Sequence, residues 1–141
     1  MESETKLIIY TDGGSRGNPG QAALGVFIAD DKGKELFALG KRIGVATNNI
    51  AEYSAVVAAF QWIIEHKKNS LVSVSFFMDS LLVVSQLNGV WKIKNKNLLP
   101  LIQSIQKMQK TLSGPVRFTH IPREKNKKAD SLVNLALDNI L

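Results

Sequence analysis

Cysteine is absent from this chain of 141 residues, and histidine occurs only twice. Without cysteine the protein has no disulfide bond, no thiol nucleophile and no cysteine-ligated zinc site. His66 and His120 are far apart in the sequence and form no closely spaced pair of metal ligands. A metal site in this chain would therefore draw on carboxylate oxygens.

Long hydrophobic runs are also missing. The longest run of apolar residues, Ala55–Phe60, is far shorter than the roughly 20 residues that a membrane-spanning helix needs. The opening MESETKLIIY is polar and then strand-like, unlike a secretory signal with its basic start and long apolar stretch. From these absences we predict a soluble cytoplasmic protein with no membrane partner.

Acidic residues are outnumbered, with 12 Asp and Glu against 18 Lys and Arg, which gives a net charge of +6. This excess favours an anionic partner such as nucleic acid, although a basic solvated surface explains it equally well. Apolar residues make up 45% and charged residues 21%, as in ordinary globular proteins. The length predicts one domain over residues 1–141, and we expect a monomer.

The hydrophobic pattern predicts five strands and four helices. The predicted strands are residues 6–12, 22–30, 34–42, 71–78 and 116–122, with a hairpin turn at Asp30–Gly33. The predicted helices are residues 47–69, 79–89, 98–112 and the segment from about Asn126 to the end. This order predicts an α/β fold with helices on both faces of a mixed five-stranded sheet. The expected strand order is 3-2-1-4-5, in which strand 2 is antiparallel to its neighbours.

Four acidic residues are predicted to meet at one edge of that sheet. Strands 1 and 4 would be parallel neighbours about 4.8 Å apart, ending at Asp12 and Asp79, where open α/β sheets bind ligands. Glu52 and Asp130 are expected in the first turns of helices that begin at the same edge. Taken singly, Asp12 could belong to a turn, Asp79 could cap a helix, and the other two could answer helix dipoles.

Glu52 is harder to explain in this ordinary way, because its helical face is apolar at Val56, Ala59, Phe60 and Ile63. Several carboxylates held close together repel one another, and some would be protonated near neutral pH unless a cation held them. Oxygen ligands suit a hard cation, Mg²⁺ or Mn²⁺, and two such ions can promote hydrolysis of a phosphodiester. We therefore interpret Asp12 as a metal ligand, with glycines beside it that let a backbone approach.

Four motifs carry a resemblance to a known family. They are YTDGGSRGNPG at 10–20, TNNIAEY at 47–53, MDS at 78–80 and NKKAD at 126–130. Together they resemble the ribonuclease H family, type 1, over nearly the whole chain. The resemblance implies an endonuclease that cuts the RNA strand of RNA–DNA hybrids with two divalent ions, leaving 3′-hydroxyl and 5′-phosphate ends. It implies that the catalytic metal ligands are Asp12, Glu52, Asp79 and Asp130.

The resemblance also implies contacts to the substrate. These fall on Gly13, Gly14, Ser15, Asn18, Asn48 and Asn49. Backbone amides and short amide side chains can reach 2′-hydroxyls in a shallow minor groove, so double-stranded RNA is a second substrate to consider. Capping of the first helix by Asn48 or Asn49 is the alternative role for those two residues.

The chain departs from the family pattern around its second helix. Leu81 stands where many bacterial members have a glutamine, and VWKIKNKN at 90–97 replaces a longer basic insertion with an extra helix. Lys92, Lys94 and Lys96 could contact phosphates or belong to a solvated linker, and we expect Trp91 to pack against the protein.

The segment before the last acid raises two further questions. Many members have a histidine on a mobile loop there, but HIPRE predicts a strand and a short turn, so we interpret His120 as structural or peripheral. Arg123 and Lys125 could steer phosphate or be simply solvated. A nucleic-acid-binding module that does not cut, and a metal-binding protein without nucleic acid, remain the alternative functions. The presence of all four acids argues against the first and the basic charge against the second.

Overall fold

The computed structural model describes residues 5–67 and 71–139. The strands are β1 (Thr5–Gly17), β2 (Gly20–Asp30), β3 (Glu35–Ala46), β4 (Val72–Met78) and β5 (Val116–His120). The helices are α1 (Asn48–His66), α2 (Leu81–Leu87), α3 (Leu99–Lys110) and α4 (Lys127–Leu137). Short 3₁₀ helices at Lys96–Leu98 and Arg123–Lys125 precede α3 and α4.

The sheet has the predicted strand order, β3-β2-β1-β4-β5. β2 pairs antiparallel with both β1 and β3, whereas β4 pairs parallel with β1 and with β5. The expected turn connects β2 to β3. One carboxylate oxygen of Asp30 stabilises this turn by accepting hydrogen bonds at 2.9 Å from the amides of Lys32 and Lys34. The predicted fold class is therefore confirmed.

Helices cover both faces of this sheet. α1, α2 and α3 bury one apolar core against it, in which Tyr53, Phe60 and Phe76 are the largest fully buried side chains. α4 packs on the opposite face, where Val133 and Ala136 cover Ala23 of β2. Among residues 5–67 and 71–139, no helix is both long and apolar enough to cross a membrane.

The predicted end of β1 and the predicted position of Glu52 in its helix are wrong in ways that bear on function. β1 does not end at Asp12 but continues to Gly17, because residues 11–17 keep pairing with β2 after the parallel ladder with β4 has ended at Tyr10. Thr47 is the N-cap of α1, and the first turn of this helix contains no acid. Glu52 therefore lies beyond that first turn. The capping alternative for Asp79 is also wrong, since the hydroxyl of Ser80 caps α2.

Candidate active site

Asp12 lies where two neighbouring strands part. The parallel ladder between β1 and β4 ends with the pair Tyr10 and Phe77, while β1 continues alongside β2. β4 ends at Met78 and the chain turns into α2, so Asp79 stands just beyond the strand. Both acids therefore project at the carboxyl edge of the sheet, and Asp12 is only 7% exposed.

A glycine next to Asp12 allows α1, the helix that carries Glu52, to lie close to this acid. A Cβ atom on Gly13 would lie 2.2 Å from the carbonyl carbon of Ala51 and 2.3 Å from the amide nitrogen of Glu52. Only glycine tolerates this distance, so α1 approaches β1 more closely than any other residue would allow. Glu52 is consequently buried beside Asp12, with 8% of its surface exposed.

The fourth acid arrives from the opposite face by a similar contact. A Cβ atom on Gly25 of β2 would lie 2.3 Å from the carbonyl oxygen of Ala129 in α4. This approach places Asp130, in the first turn of α4, at the same edge of the sheet. The side chain of Asp130 is 34% exposed, and one of its oxygens lies 3.7 Å from a guanidinium nitrogen of Arg123.

Three of the four acids form a tight group. One carboxylate oxygen from each of Asp12, Glu52 and Asp79 lies within 4.8 Å of the others, close enough to bind one metal ion. Asp130 is not part of that group, but it lines the same cavity of about 500 Å³. The structure thus places the four predicted acids around one cavity, with three at its centre and Asp130 at its rim.

Burial and mutual repulsion change the proton affinity of this group. Burial, followed by the charges of Asp79 and Asp130, raises the pKa of Asp12 from 3.8 to about 7. Burial, followed by the charge of Asp12, raises the pKa of Glu52 well above its ordinary value. The site therefore resists full ionisation near neutral pH unless positive charge enters it.

The donor set fits a hard divalent cation. It consists of oxygen atoms, as Mg²⁺ and Mn²⁺ prefer, and it concentrates negative charge in a partly buried cavity. One oxygen of Glu52 is buried and has no hydrogen-bond partner among the described residues, which suits an atom that accepts a metal ion. The side chains at this cavity are therefore suited to holding a metal ion.

The segment predicted as a substrate-binding loop forms the last part of β1 and lines one wall of the cavity. Gly13, Gly14, Ser15 and Asn48 all border it. The side-chain oxygen of Asn48 accepts a hydrogen bond at 2.9 Å from the amide of Ser15, which ties this part of β1 to the start of α1. The amide of Asn48 in turn donates at 3.0 Å to the side-chain oxygen of Asn18.

Two predicted contacts are less directly placed. Asn18 and Asn49 are not among the residues that line the cavity, although both lie beside residues that do. Neither Asn48 nor Asn49 caps α1, because the Thr47 hydroxyl accepts the capping hydrogen bond at 3.2 Å from the amide of Ile50. Arg123 lines the cavity, and its side chain is 81% exposed.

Other residues considered from the sequence lie farther out. His120 is exposed in β5 and, like Lys125, does not line the cavity. The three lysines at 92, 94 and 96 are exposed, while Ile93 between them packs against the core. The prediction that Trp91 packs away is wrong, since its side chain is 45% exposed.

Several residues of the site were not anticipated from the sequence. The additional residues that line the cavity are Arg16, Ser80, Val133, Asn134 and Leu137. Arg16 is held by an ion pair of 2.5 Å to Asp138. Asn126 is fully buried beside Asp79, whereas the sequence pattern predicts it only as the beginning of the last helix. Its place in NKKAD, four residues before Asp130, was the available signal.

Comparisons with known proteins agree with this geometry. A family model described as reverse transcriptase-like matches residues 10–136. A bifunctional protein of Mycobacterium tuberculosis is 37% identical over 134 residues, which cover 94% of this chain but 36% of that protein. The chain thus spans about a third of the length of the first curated relatives that it matches, given that 36% coverage.

Other matches extend over the whole of the similar protein. Ribonuclease H of Ruthia magnifica is 32% identical over 150 residues, covering 96% of this chain and 97% of that protein. LC11-RNase H1, solved in complex with an RNA/DNA hybrid, has a TM-score of 0.89 and 43% identity, covering 94% of this chain and 97% of that one. With the shared strand order and the acids at the sheet edge, these matches show that the chain belongs to the ribonuclease H family, type 1.

Proposed function

We propose that this protein is an endonuclease, a ribonuclease H, that hydrolyses the RNA strand of RNA–DNA hybrids and leaves 3′-hydroxyl and 5′-phosphate ends. The observation that carries the proposal is the group of three carboxylates within 4.8 Å of one another, at a cavity of a chain with a net charge of +6. The match to a ribonuclease H1 that was solved with an RNA/DNA hybrid supports the same substrate.

The proposed cofactor is Mg²⁺ or Mn²⁺, with two ions in each site when substrate is bound. Bound there, such ions would supply the positive charge that activates a water molecule and stabilises the leaving oxygen of a phosphodiester. Asp12, Glu52 and Asp79 supply the central oxygen ligands, because their oxygens already lie together. Asp130, which lines the same cavity and whose side chain is 34% exposed, would supply a further carboxylate.

The walls of the cavity would bind and orient the hybrid. The proposed contacts are Gly13, Gly14 and Ser15 of β1 and Asn48 of α1, with Asn18 and Asn49 beside them. Short polar groups of this kind recognise RNA by the 2′-hydroxyl, which DNA lacks. Arg123 stands at the rim with an exposed guanidinium and would attract a phosphate of the strand to be cut.

Cleavage assays test this proposal directly. A labelled RNA–DNA hybrid, duplex DNA, duplex RNA and single-stranded RNA are each incubated with Mg²⁺, Mn²⁺ or EDTA. We expect cutting of the RNA strand of the hybrid with either metal and none in EDTA. The duplex RNA sample decides whether the same contacts admit that second substrate. Cutting in EDTA would point to metal-free chemistry, and an intact hybrid would contradict the proposed function.

Asp12→Asn is the matched inactive variant for these assays. It removes one negative ligand but keeps the size of the side chain, so we expect cleavage to fall by at least about 1,000-fold while the fold is retained. Circular dichroism confirms the fold, and turnover is measured on the hybrid. Robust cleavage by purified Asp12→Asn would remove Asp12 from the mechanism.

The proposal also includes a monomer that acts in the cytoplasm. Light scattering tests the oligomeric state.

A further inference from the structure

Asn126 occupies the N-cap position of α4 without acting as a cap. Asparagine is favoured there because its side chain usually accepts a hydrogen bond from the first turn of the helix. Here the side chain makes no capping hydrogen bond. Asn126 is instead 0% exposed, so its amide group is directed into the protein. The side-chain oxygen has no hydrogen-bond partner among the described residues, whereas the side-chain nitrogen has partners outside the helix.

Those partners lie at the candidate metal ligands. The side-chain nitrogen of Asn126 donates a hydrogen bond at 2.9 Å to the backbone oxygen of Thr11, the residue before Asp12. The same nitrogen lies 3.3 Å from one carboxylate oxygen of Asp79. One amide group therefore connects β1, just past the point where its ladder with β4 ends, to the residue that follows β4. These are the positions from which the two acids project.

The backbone of Asn126 reaches a third acid. Its carbonyl oxygen accepts the helical hydrogen bond at 3.1 Å from the amide of Asp130. Asn126 thus contacts Asp79 directly, Asp12 through Thr11, and Asp130 through the first turn of α4. These contacts join segments that are far apart in the chain, since Asn126 and Thr11 are separated by 115 residues.

The chemistry of the amide suits this place. An amide N–H is a donor without charge, so it restrains an oxygen of Asp79 without neutralising the carboxylate as lysine or arginine would. The donor is buried, and replacing its hydrogen bonds with water would require opening the contact between α4 and the sheet. Groups that orient metal ligands in this way commonly affect both metal affinity and turnover.

We propose that Asn126 is a positioning residue that holds the Asp79 carboxylate in place against Asp12 and so completes the arrangement of the metal ligands. This inference rests on the proposed function, since it assigns Asn126 to the same site. It assigns no substrate contact to Asn126. Loss of the amide should therefore lower metal affinity and turnover while sparing affinity for the hybrid.

Two variants separate the hydrogen bonds from packing. Asn126→Ala removes both the amide and the volume of the side chain, whereas Asn126→Leu keeps a branched side chain of similar size without a donor. We expect both to lower kcat and Mn²⁺ affinity by about 10- to 100-fold. KM and hybrid affinity in EDTA should stay within about threefold of wild type, since Asn126 is not among the residues that line the cavity.

Three measurements and one control variant distinguish a role in metal binding from a role in packing. Calorimetry measures Mn²⁺ binding to the substrate-free protein, steady-state kinetics measures kcat and KM, and urea unfolding confirms the fold. The control, Asn88→Ala, removes another asparagine that donates to a strand carbonyl, that of Phe118 at 3.1 Å, away from the acids. It should leave kcat and Mn²⁺ affinity unchanged.

Three results would overturn the inference. If Asn126→Leu retained wild-type kcat and Mn²⁺ affinity, the side chain would serve packing only. If hybrid affinity fell as much as kcat, Asn126 would act on substrate binding instead. If neither variant folded, its role would be the stability of α4. A wild-type protein that left hybrids uncut would contradict the proposed function, whereas the Mn²⁺ titration would still test Asn126.

Discussion

Asp12 shows at the level of one residue how the site opposes stability. Its folded-state pKa is raised from 3.8 to about 7, chiefly by burial and then by the charges of Asp79 and Asp130. At a pH between 3.8 and about 7, Asp12 has lost its proton in the unfolded chain but keeps it in the folded protein. The metal-free protein therefore loses stability as pH rises from about 4 towards 7, and bound cations would restore it.

Because the pKa of Asp12 is raised by burial and repulsion, we predict that Asp12→Asn stabilises the metal-free protein at alkaline pH. Asparagine does not ionise and removes the repulsion with Asp79 and Asp130, so we expect a gain on the order of 1–3 kcal/mol at pH 8. Near pH 5 the gain should be smaller, because Asp12 is then protonated in the folded protein. Urea unfolding in EDTA at both pH values measures the difference.

An exposed acid provides the control for this prediction. Asp31 lies in the turn between β2 and β3, and Asp31→Asn should change stability by less than about 0.5 kcal/mol at either pH. Addition of Mg²⁺ should stabilise wild type more than Asp12→Asn. An Asp12→Asn variant less stable than wild type at pH 8 would show that repulsion is not the dominant effect.

At the level of elements, the site depends on how closely two helices approach the sheet. Gly13 admits the backbone of α1 on one face, and Gly25 admits the backbone of α4 on the other. These contacts bring in Glu52 and Asp130, which lie on different helices. The motif around Asp12 pointed to Gly13, but nothing local marks Gly25, whose partner Ala129 is more than 100 residues away in the sequence.

We predict that Gly13→Ala displaces α1, because the new Cβ atom would overlap backbone atoms at 2.2–2.4 Å. The expected cost is about 1–3 kcal/mol or more in the free energy of unfolding, since backbone cannot move aside as a flexible side chain can. Glu52 would move with the helix, so hybrid cleavage should fall as well. Urea unfolding and turnover measure the two effects.

The neighbouring glycine is the matched control. A Cβ atom on Gly14 would meet only a methyl carbon of Val133, at an ordinary 3.5 Å, so Gly14→Ala should leave the free energy of unfolding nearly unchanged. Equal stability of the two variants would mean that α1 adapts to the extra methyl group. The close approach would then not be needed for the fold.

At the scale of the whole molecule, a net positive charge is combined with a cluster of carboxylates. The net charge of +6 attracts a polyanion, while the buried carboxylates need cations to hold them. The segment with Lys92, Lys94 and Lys96 is exposed after α2, so its charges are available to phosphates. Whether these lysines bind substrate or only add to the overall field is a question that salt dependence answers.

If they contact phosphates, replacing all three with alanine should weaken hybrid binding by about 10-fold and reduce the salt slope by about 2. The matched control replaces Lys32, Lys34 and Lys110, which are exposed at the opposite end of the sheet. Both variants lower the net charge of +6 by three. Binding is measured in EDTA at several salt concentrations, and equal slopes in the two variants would leave the first three lysines as a solvated linker.

The amino-acid sequence by itself determined the strand order, the family and the four acids. Strands and helices follow from local periodicity, and the acids lie in motifs that are contiguous in the chain, so both can be read without knowledge of packing. The hairpin turn at Asp30 is of this kind, because one side chain satisfies amides only two and four residues away.

Only the tertiary structure decided the distances within the site. It gathered Asp12, Glu52 and Asp79 within 4.8 Å, left Asp130 at the rim and extended β1 past its predicted end. It also buried Asn126 between Thr11 and Asp79. These features depend on contacts between segments far apart in the chain, and neither hydrophobic periodicity nor a local motif specifies how closely two such segments approach.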